Sequence, residues 1–411
     1  MIRSYLLFGV RRFRLLAASK RWHGVIRILD LLSFKRQDLI EKSTRSYFAR
    51  DRGLVNSLSI DIAPQGQAAF EAKWNDAERN RRVLFVTDRD YSGSFMKWAK
   101  ALNQHSEYAV RMISLRDHSY GYETDISLQK HLSSKKNVLS VLDRYASEAS
   151  IIHFKDEIGI FLDKNFLSDF FMKRRNIPQI YTLYGGYARK YEQDRRYRNF
   201  VNSFDLSICM TPDLGFEWIE RLIWVPHSVS WEPSFNWSYG RKWAHSPSTA
   251  ARKGTELFID AYRDLEVKLE LQLDIIEGVS HEECLKRKRL ANWFFDQAGR
   301  EIANNLGINT EIGWYGNSAI EATTLGIPTL ANLSKQALSR AESLWPELAE
   351  NLPVINCGNS TESIKSTILS LMSLSSNESL TLAKKTFQTT GEFHSLASAA
   401  KRLSSFYSSL S

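Results

Sequence analysis

The fold of this chain is decided by the stretch GWYGNSAIEATTLGIPTLA, which runs from Gly313 to Ala331. Its apolar residues recur at the spacing of one helix face, and they are Ala319, Ile320, Ala322 and Leu325. Gly326 is typical of a helix end, and Pro328 cannot continue a helix. The apolar residues after Pro328 favour a strand, so the stretch predicts a turn, a helix and a short strand.

The predicted helix begins at Gly316-Asn317-Ser318. A helix start carries free backbone N–H groups and the positive end of the helix dipole, and both favour a bound phosphate. Glu321 lies one turn further on and could accept a hydrogen bond from a ribose hydroxyl of the same ligand. The alternative is a plain helix–strand connection in which Glu321 is a solvated carboxylate.

The composition is that of an ordinary folded protein of two domains. A chain of 411 residues can form two full hydrophobic cores, and 43% hydrophobic with 25% charged residues is typical of soluble globular proteins. Cys209, Cys284 and Cys357 lie far apart and lack the spacing of metal ligands, which predicts a reduced cytoplasmic protein. The net charge of +9 is compatible with nucleic acid, an anionic membrane surface or an anionic small ligand.

Basic residues are concentrated near the N-terminus, where they interleave with apolar ones. The apolar run Tyr5–Val10 is too short for a signal-peptide core or a membrane span. Residues 1–80 are predicted to form a basic helical extension, which either lies on anionic lipid at the inner face of the membrane or packs on the body of the protein. No nucleic-acid-binding motif is present, so nucleic acid is not expected as a partner.

Strands and helices alternate through most of the chain, beginning with the apolar run Arg82–Thr87. Such alternation predicts parallel sheets that are covered by helices on both faces. We predict a Rossmann-like domain over residues 81–230, a linker over 231–241 with exposed aromatic residues, and a second α/β domain over 242–390. A C-terminal helix over 391–411 is expected to pack back on the first domain.

The stretch from Gly313 resembles the signature helix of family 4 glycosyltransferases, which have the GT-B fold. It keeps the aromatic Tyr315, then Gly316, Glu321 and the Gly-x-Pro ending, but Gly313 stands where the family has the first of two glutamates. The resemblance implies two Rossmann-like domains that face each other across a cleft. It also implies transfer of a sugar from a nucleotide-sugar donor with retention of anomeric configuration. The nucleotide-sugar is then a substrate, and no cofactor or metal is expected.

The resemblance assigns the donor to the second domain. Arg252 and Lys253 precede a helix at the place where the family has a basic residue on the donor diphosphate, although both could be surface charges. Glu277 lies in a segment that resembles the strand, loop and helix beside the base pocket. Asp296 ends a predicted strand and either faces the ligand or caps a helix. The remaining donor residues are Gly316, Asn317 and Ser318 at the phosphates and Glu321 at the ribose.

The resemblance assigns the acceptor to the first domain. Gly93 resembles the glycine loop that faces the acceptor and the diphosphate. Tyr184 stands where the family often has a histidine near the reacting sugar, and His153 either takes over that role or is structural. Arg189 could bind an acidic acceptor or a phosphate, or be solvated.

The sequence therefore predicts a metal-independent glycosyltransferase that acts on a glycan or lipid-linked acceptor in surface polysaccharide synthesis. Lys253, Arg252, His153 and Tyr184 are expected around the reaction, and Glu321→Ala is expected to weaken nucleotide binding with little loss of fold. The missing glutamate and histidine support a second interpretation, an inactive partner protein that binds a nucleotide or a glycan. A sugar epimerase of the same fold is a third.

Overall fold

The computed structural model describes residues 66–118, 121–155, 170–171, 173–302 and 309–410, with the side chains of 300–302 and 309–310 left undescribed. All of these residues belong to one compact unit, Ala63–Ser411. Most of the predicted basic extension, including the helices expected on anionic lipid, lies outside the described residues. Within the described ranges, no helix is both long enough and apolar enough to cross a bilayer.

The first sheet is built from the apolar runs of the first domain. Its strands are β1 (Arg82–Arg89), β2 (Ala109–Arg116), β3 (Ile126–Ser127), β4 (Ile151–Lys155), β5 (Gln179–Leu183), β6 (Leu206–Cys209) and β7 (Leu222–Trp224). They are all parallel and lie in the order β3-β2-β1-β4-β5-β6-β7. The chain therefore switches direction between β1 and β4, and ligands of such sheets bind beside that point.

Helices cover this sheet, and they are α1 (Ala68–Asp76), α2 (Ser94–His105), α3 (Lys135–Glu148), α4 (Gly185–Tyr191) and α5 (Arg195–Val201). Asp90 fixes the start of α2, because its carboxylate accepts hydrogen bonds from the N–H groups of Phe95 at 3.0 Å and Met96 at 2.9 Å. Trp74 of α1 is buried in the core of the first domain. The first domain therefore begins before residue 80, earlier than the sequence predicts.

The second domain is a smaller layered unit. Its strands are β8 (Lys242–His245), β9 (Gln272–Ile275), β10 (Trp293–Gln297), β11 (Arg300–Ile302), β12 (Asn309–Glu311), β13 (Thr329–Ala331) and β14 (Val354–Asn356). Five of them form a parallel sheet in the order β14-β13-β10-β8-β9, and β11 pairs with β12. The helices are α6 (Ala250–Lys253), α7 (Thr255–Leu269), α8 (His281–Lys288), α9 (Asn317–Thr323), α10 (Lys335–Leu344), α11 (Pro346–Glu350) and α12 (Thr361–Met372). The predicted fold class, two Rossmann-like α/β domains, is confirmed.

The chain returns to the first domain through its last two helices, α13 (Ser376–His394) and α14 (Leu396–Tyr407). The return helix begins at Leu396 rather than at residue 391, and Leu403 and Tyr407 join the core that covers α2. Residues 231–241 contain no helix or strand. Tyr239 is exposed as predicted, but Trp237 is buried, and Trp231 and Phe235 pack on Phe387 of α13 with ring centroids 5.1 and 5.5 Å apart.

An apolar contact joins the two domains beside the place where their sheets end. Trp224 of β7 packs edge-to-face on Trp314 and Trp345 of the second domain, with ring centroids 5.5 and 6.1 Å apart. The guanidinium of Arg402 in α14 lies 3.7 Å from the ring centroid of Trp345. These contacts hold the ends of the two sheets opposite each other.

Candidate active site

A cleft with a cavity of about 420 Å³ opens between the carboxyl ends of the two sheets. Its size lies within the range of small-molecule sites, roughly 300–1,000 Å³. Its wall includes, from the first domain, Tyr91, Ser92, Tyr184, Arg189, Thr211 and His227. From the second domain it includes Arg252, Lys253, Glu277, Lys288, Ser318 and Glu321. Most of the predicted site residues therefore converge on one cavity, as the ends of parallel strands favour.

Asp296 connects two predicted donor residues at the floor of the cleft. It is 2% exposed at the end of β10, and its Oδ1 accepts a hydrogen bond from Nζ of Lys253 at 2.7 Å. Its Oδ2 accepts a hydrogen bond from the backbone N–H of Gly316, also at 2.7 Å. The N–H of Gly316, which was expected at a phosphate, is therefore already used. The charge of Lys253 is likewise balanced by a carboxylate.

Glu321 is enclosed by basic and amide groups. It is 8% exposed, and its carboxylate accepts hydrogen bonds from Lys288 at 2.8 Å, His281 at 2.8 Å and Asn317 at 2.7 Å. Lys97 of the first domain lies 3.5 Å from the same carboxylate. Burial by itself raises the pKa of Glu321, but Lys288, Lys97 and His281 outweigh it and hold that pKa well below its usual range. A carboxylate has about four acceptor positions, so these contacts do not exclude a ligand hydroxyl. Lys288, His281 and Asn317 line the cavity beside Glu321, which holds them in place.

Lys288 of the second domain lines the cavity but is not among the residues predicted from the sequence. Its ammonium donates hydrogen bonds to Oγ of Ser318 at 2.8 Å and to Glu321, and its side chain is 1% exposed. Ser318 also shares a hydrogen bond with Ser246, at 2.7 Å between their Oγ atoms. The sequence does contain a pattern that includes Lys288, because His281, Cys284 and Lys288 recur at the spacing of one helix face. In the structure this face of α8 lines the cavity.

Tyr184 stands on the first-domain side of the cleft. Its hydroxyl lies 2.7 Å from Oγ of Ser92, and Nζ of Lys155 lies 4.4 Å from its ring centroid. Gly93 follows Ser92, a residue that lines the cavity, in the chain. It has a left-handed φ of 60° at the start of α2, and an added Cβ would lie 3.2 Å from the ring of Tyr122. Gly93 therefore shapes the turn that presents Ser92 and does not itself line the cavity.

His153 does not reach the cleft, and its predicted role near the reacting sugar is wrong. It is fully buried, with Nδ1 2.7 Å from the hydroxyl of Tyr407 and Nε2 2.6 Å from Oγ1 of Thr182. Burial lowers its pKa to about 3, so the ring is neutral. The structural interpretation of His153 is correct, because the strand alternation of β4 points its ring into the core.

His227 is a cavity-lining histidine that the sequence analysis does not identify. It follows β7, is 6% exposed, and its ring lies edge-to-face with Tyr184 at 6.2 Å between centroids. Burial, and then the charges of Lys97 and Lys155, lower its pKa to about 3. No sequence motif marks this position, because the ring is brought beside Tyr184 only by the pairing of strands that are distant in the chain.

The other predicted residues lie around the cavity. Arg189 is 8% exposed and forms an ion pair of 2.5 Å with Asp213, so it is not solvated. Arg252 and Glu277 are exposed at the rim and line the same cavity. Oδ1 of Asp90 is 2.7 Å from Nζ of Lys155, and the same carboxylate caps α2.

The position of the missing family glutamate has no room for a side chain. A Cβ added at Gly313 would lie 2.6 Å from Cβ of Ser334 and still closer to its hydroxyl oxygen. Ser334 is itself fixed, since its N–H donates to the carbonyl of Gly313 at 3.0 Å and its Oγ caps α10. Close packing therefore accounts for the glycine where the family has a carboxylate.

Gly313→Ala is expected to lower the free energy of unfolding by about 1–3 kcal/mol, as overpacking does. Urea denaturation measures this change. Gly316→Ala is the matched control, because its added Cβ would meet nothing closer than 3.5 Å. Equal stability of the two variants would show that Ser334 moves aside and that the position does not exclude a side chain.

The sequence matches no protein-family model, and no curated protein is similar enough in sequence to match it. Solved structures of similar fold include an α-glucosyltransferase in complex with UDP-glucose and DNA containing an abasic site. It has a TM-score of 0.51 and 10% identity over 80% of this chain and 99% of that one. A complex of an α-glucosyltransferase with UDP and a mismatched DNA 13-mer has a TM-score of 0.50 at the same identity and coverage. A glycosyltransferase from Rickettsia africae has a TM-score of 0.49 and 11% identity over 80% of this chain and 99% of that one. The two α-glucosyltransferase matches establish that the described chain has the two-domain GT-B fold.

Proposed function

We propose that this protein is a glycosyltransferase that moves a sugar from a nucleotide-sugar to an acceptor hydroxyl. The observation that carries the proposal is the cleft itself, where Arg252, Lys253 and Lys288 of one domain face the aromatic and polar wall of the other. Cationic groups at the end of a parallel sheet suit a diphosphate, and a neutral wall opposite suits the group that receives the sugar.

Lys253 and Arg252 hold the diphosphate in this proposal, with the first N–H groups of α9 beside them. In the transfer step, an acceptor hydroxyl oxygen bonds to the anomeric carbon while the bond from that carbon to the diphosphate breaks. The nucleoside diphosphate leaves with the bonding electrons, and its oxygen takes the hydroxyl proton. Attack on the same face as the departing diphosphate gives retention. Fixed cations lower the barrier because they stabilise the charge that develops on the leaving group.

Glu321 acts on this site through its partners. It holds Lys288, His281 and Asn317 in place, and these three side chains border the cavity. Tyr184 lies where it can contact the transferred sugar, and Glu277 lies where it can contact the base. In this proposal the positive charge comes from lysine and arginine side chains and requires no metal.

The acceptor is a glycan or a lipid-linked saccharide in this proposal, and the protein works at the cytoplasmic face of a membrane as part of surface polysaccharide synthesis. The basic segment of residues 1–40 would bind anionic lipid. Deletion of these residues should abolish sedimentation with phosphatidylserine vesicles, and unchanged sedimentation would exclude the membrane role. The expectation that nucleic acid is not a partner stays a prediction.

A second candidate function is nucleotide or glycan binding without transfer. Two observations favour it, namely that Gly313 leaves no room for the first family glutamate and that His153 lies in the core. Neither observation concerns the basic residues of the cleft, which suit a diphosphate in either case. A transferase and an inactive nucleotide binder therefore both require nucleotide binding, and turnover separates them, whereas a binder of glycan alone requires no nucleotide.

A thermal-shift screen against UDP, GDP, ADP, CMP and their common sugar conjugates tests the shared requirement. The transferase proposal expects one base to raise the melting temperature, with its sugar conjugate raising it at least as much. A nucleotide-sugar that binds but is not consumed with any acceptor or with water would support the second candidate. Failure of every nucleotide to bind would contradict the transferase and would leave only glycan binding for the second candidate.

Lys253→Met and Asp296→Asn are expected to change nucleoside diphosphate affinity in opposite directions. Removing the ammonium should weaken binding about tenfold, whereas removing the carboxylate frees Lys253 for the ligand and should strengthen binding by a similar factor. Calorimetric titration with the nucleotide found in the screen measures both. Weakening by both variants would indicate that the ion pair has a structural role and that the diphosphate binds elsewhere.

A further inference from the structure

Tyr122 is a first-domain residue that reaches the second domain across the cleft. It lies in the chain between β2 and β3, is half-buried and lines the cavity. Its ring packs on that of His281, the first residue of α8, with ring centroids 4.9 Å apart. The ring also covers the turn before α2, since a Cβ added at Gly93 would lie 3.2 Å from it. A residue of the first domain therefore borders the part of the cavity that α8 lines.

A row of aromatic rings holds Tyr122 in this place. The ring centroid of His118 lies 5.0 Å from that of Tyr122 and 5.0 Å from that of Tyr91. Both His118 and Tyr91 also line the cavity. Ring pairs at such separations attract each other in tilted and edge-to-face arrangements. The position of Tyr122 is therefore set by packing within the first domain and does not depend on His281 alone.

The hydroxyl of Tyr122 is available to a ligand. Within the described residues no group hydrogen-bonds to it, and its oxygen is not enclosed as that of Tyr197 is. Burial of the side chain, and then the negative charge of Glu321, raise the pKa of Tyr122, so the hydroxyl stays protonated. It can therefore donate a hydrogen bond to a group in the cavity.

A second contact shows that the two domains meet beside Glu321. Nζ of Lys97 in α2 donates a hydrogen bond to Oδ1 of Asn317 at 2.8 Å and lies 3.5 Å from the Glu321 carboxylate. His281 hydrogen-bonds to the same carboxylate at 2.8 Å and packs on Tyr122. Residues of both domains therefore surround this end of the cavity.

The groups at this end of the cavity suit a nucleoside better than a phosphate. The adjoining segment between β9 and α8 contributes Ile276, Gly278 and Val279, which are apolar. Nucleobases have flat π faces that stack on aromatic rings, whichever base is present. Phosphates take cationic partners, and Arg252 and Lys253 supply these from α6. The aromatic and apolar end is thus distinct in chemistry from the basic residues of α6.

We propose that Tyr122 binds the nucleoside of the donor, so that the nucleotide contacts both domains. The ring covers one face of the base, and the hydroxyl donates a hydrogen bond to the ribose. This inference rests on the proposed transferase function and adds a first-domain residue to its donor site. Since stacking does not distinguish one base from another, Tyr122 determines how tightly the nucleoside is held and not which base is chosen.

Calorimetric titrations of the full chain with UDP, GDP, ADP and inorganic pyrophosphate test this inference, because pyrophosphate lacks the nucleoside. Tyr122→Ala should weaken the nucleotide that binds best about tenfold or more and should leave pyrophosphate affinity unchanged. Tyr122→Phe keeps the ring and should weaken the same nucleotide only about threefold. Lys253→Met should weaken the nucleotide and pyrophosphate alike.

Two control variants lie away from the cleft. Tyr239→Ala removes an exposed ring and is the matched control for Tyr122→Ala, and Thr381→Val alters the exposed side of α13. Both should bind every probe as the unmodified protein does. Melting temperatures without ligand, measured for each variant, keep a loss of affinity apart from a loss of fold.

Two results would overturn the inference while the nucleotide site stands. One is a nucleotide affinity in Tyr122→Ala that equals that of the unmodified protein. The other is an equal loss of affinity for the nucleotide and for pyrophosphate, which would show that Tyr122 supports the diphosphate site and not the nucleoside. If the unmodified protein bound none of the three nucleotides, the proposed function itself would be contradicted.

Discussion

Lowering the pH from 7.5 to 5.0 is expected to remove most of the stability of this protein. Four histidines of the described ranges are buried, namely His153, His227, His245 and His394. Burial disfavours their charged form and lowers the pKa to about 3 for His153 and His227 and to about 4 for His245 and His394. Three of them also bind fixed partners, as in the contact of His245 with Oγ1 of Thr255 at 2.8 Å.

The sign of the effect follows from proton binding. In the unfolded chain a histidine has a pKa of about 6.5, so below that pH the unfolded state binds protons that the folded state does not. Stability therefore falls as the pH falls, by about 1.4 kcal/mol per pH unit for each histidine. Four histidines at pH 5.0 give an upper bound of about 8 kcal/mol, which is comparable to the whole stability of a typical protein. Glu321 does not contribute in this window, since its lowered pKa keeps it ionised.

Urea denaturation at several pH values measures this dependence. The midpoint should be nearly constant above pH 7 and should fall steeply below about pH 6.5. His394→Gln should reduce the steepness, and His105→Gln, which removes an exposed ring, should leave it unchanged. A midpoint that is the same at pH 7.5 and pH 5.0 would contradict the buried, neutral state of these rings.

Glu321→Gln is expected to lower the free energy of unfolding by about 3–5 kcal/mol, because it leaves buried ammonium groups without their carboxylate. Lys288 is the main cause, since its side chain is 1% exposed and its ion pair with Glu321 is 2.8 Å long. Lys97 loses the same partner. The sequence alone predicts that Glu321→Ala causes little loss of fold. The structure predicts a large loss of stability, because it reveals the cations that surround the carboxylate.

A rescue variant separates this explanation from simple loss of packing. Adding Lys288→Met to Glu321→Gln removes the stranded charge, and much of the lost stability should return. Glu282→Gln breaks an exposed ion pair with Lys286 on the same helix and should change stability little. If the double variant were as unstable as Glu321→Gln alone, unpaired charge could not be the cause. Urea denaturation at pH 7.5 compares all three.

Local patterns made the fold predictable from the sequence. Gly326 and Pro328 predict the end of a helix and the start of a strand, and the structure has α9 before them and β13 after them. Gly326 has a φ of 73°, which favours glycine. Buried apolar runs gave the parallel strands in the same way, because a strand covered on both faces is continuously hydrophobic. Boundaries were less accurate where packing decided them. The buried Trp74 places α1 with the first domain, whereas the sequence predicts that residues 1–80 form an extension.

The site was only partly predictable, because some of its contacts join residues from different domains, as Lys97 does with Asn317 and Glu321. Lys253 could be found from its place before a helix, and Lys288 had a signal in the face of α8. Lys97 and His227 had none. The proximity of Lys97 to Glu321 depends on how the two domains meet, and that of His227 to Tyr184 depends on the pairing of strands that are distant in the chain. His153 shows the reverse error, because its place at the end of a strand does not show that its ring points into the core.

The most direct test of the central claim is release of nucleoside diphosphate from the nucleotide-sugar that the protein binds, followed with a coupled assay. The unmodified protein is expected to release it slowly with water and faster with the acceptor. Lys253→Met should lose this activity, and Thr381→Val should keep it. Release that is unaffected by Lys253→Met, or no release with any bound nucleotide-sugar and acceptor, would contradict the assignment of this cleft as a glycosyltransferase active site.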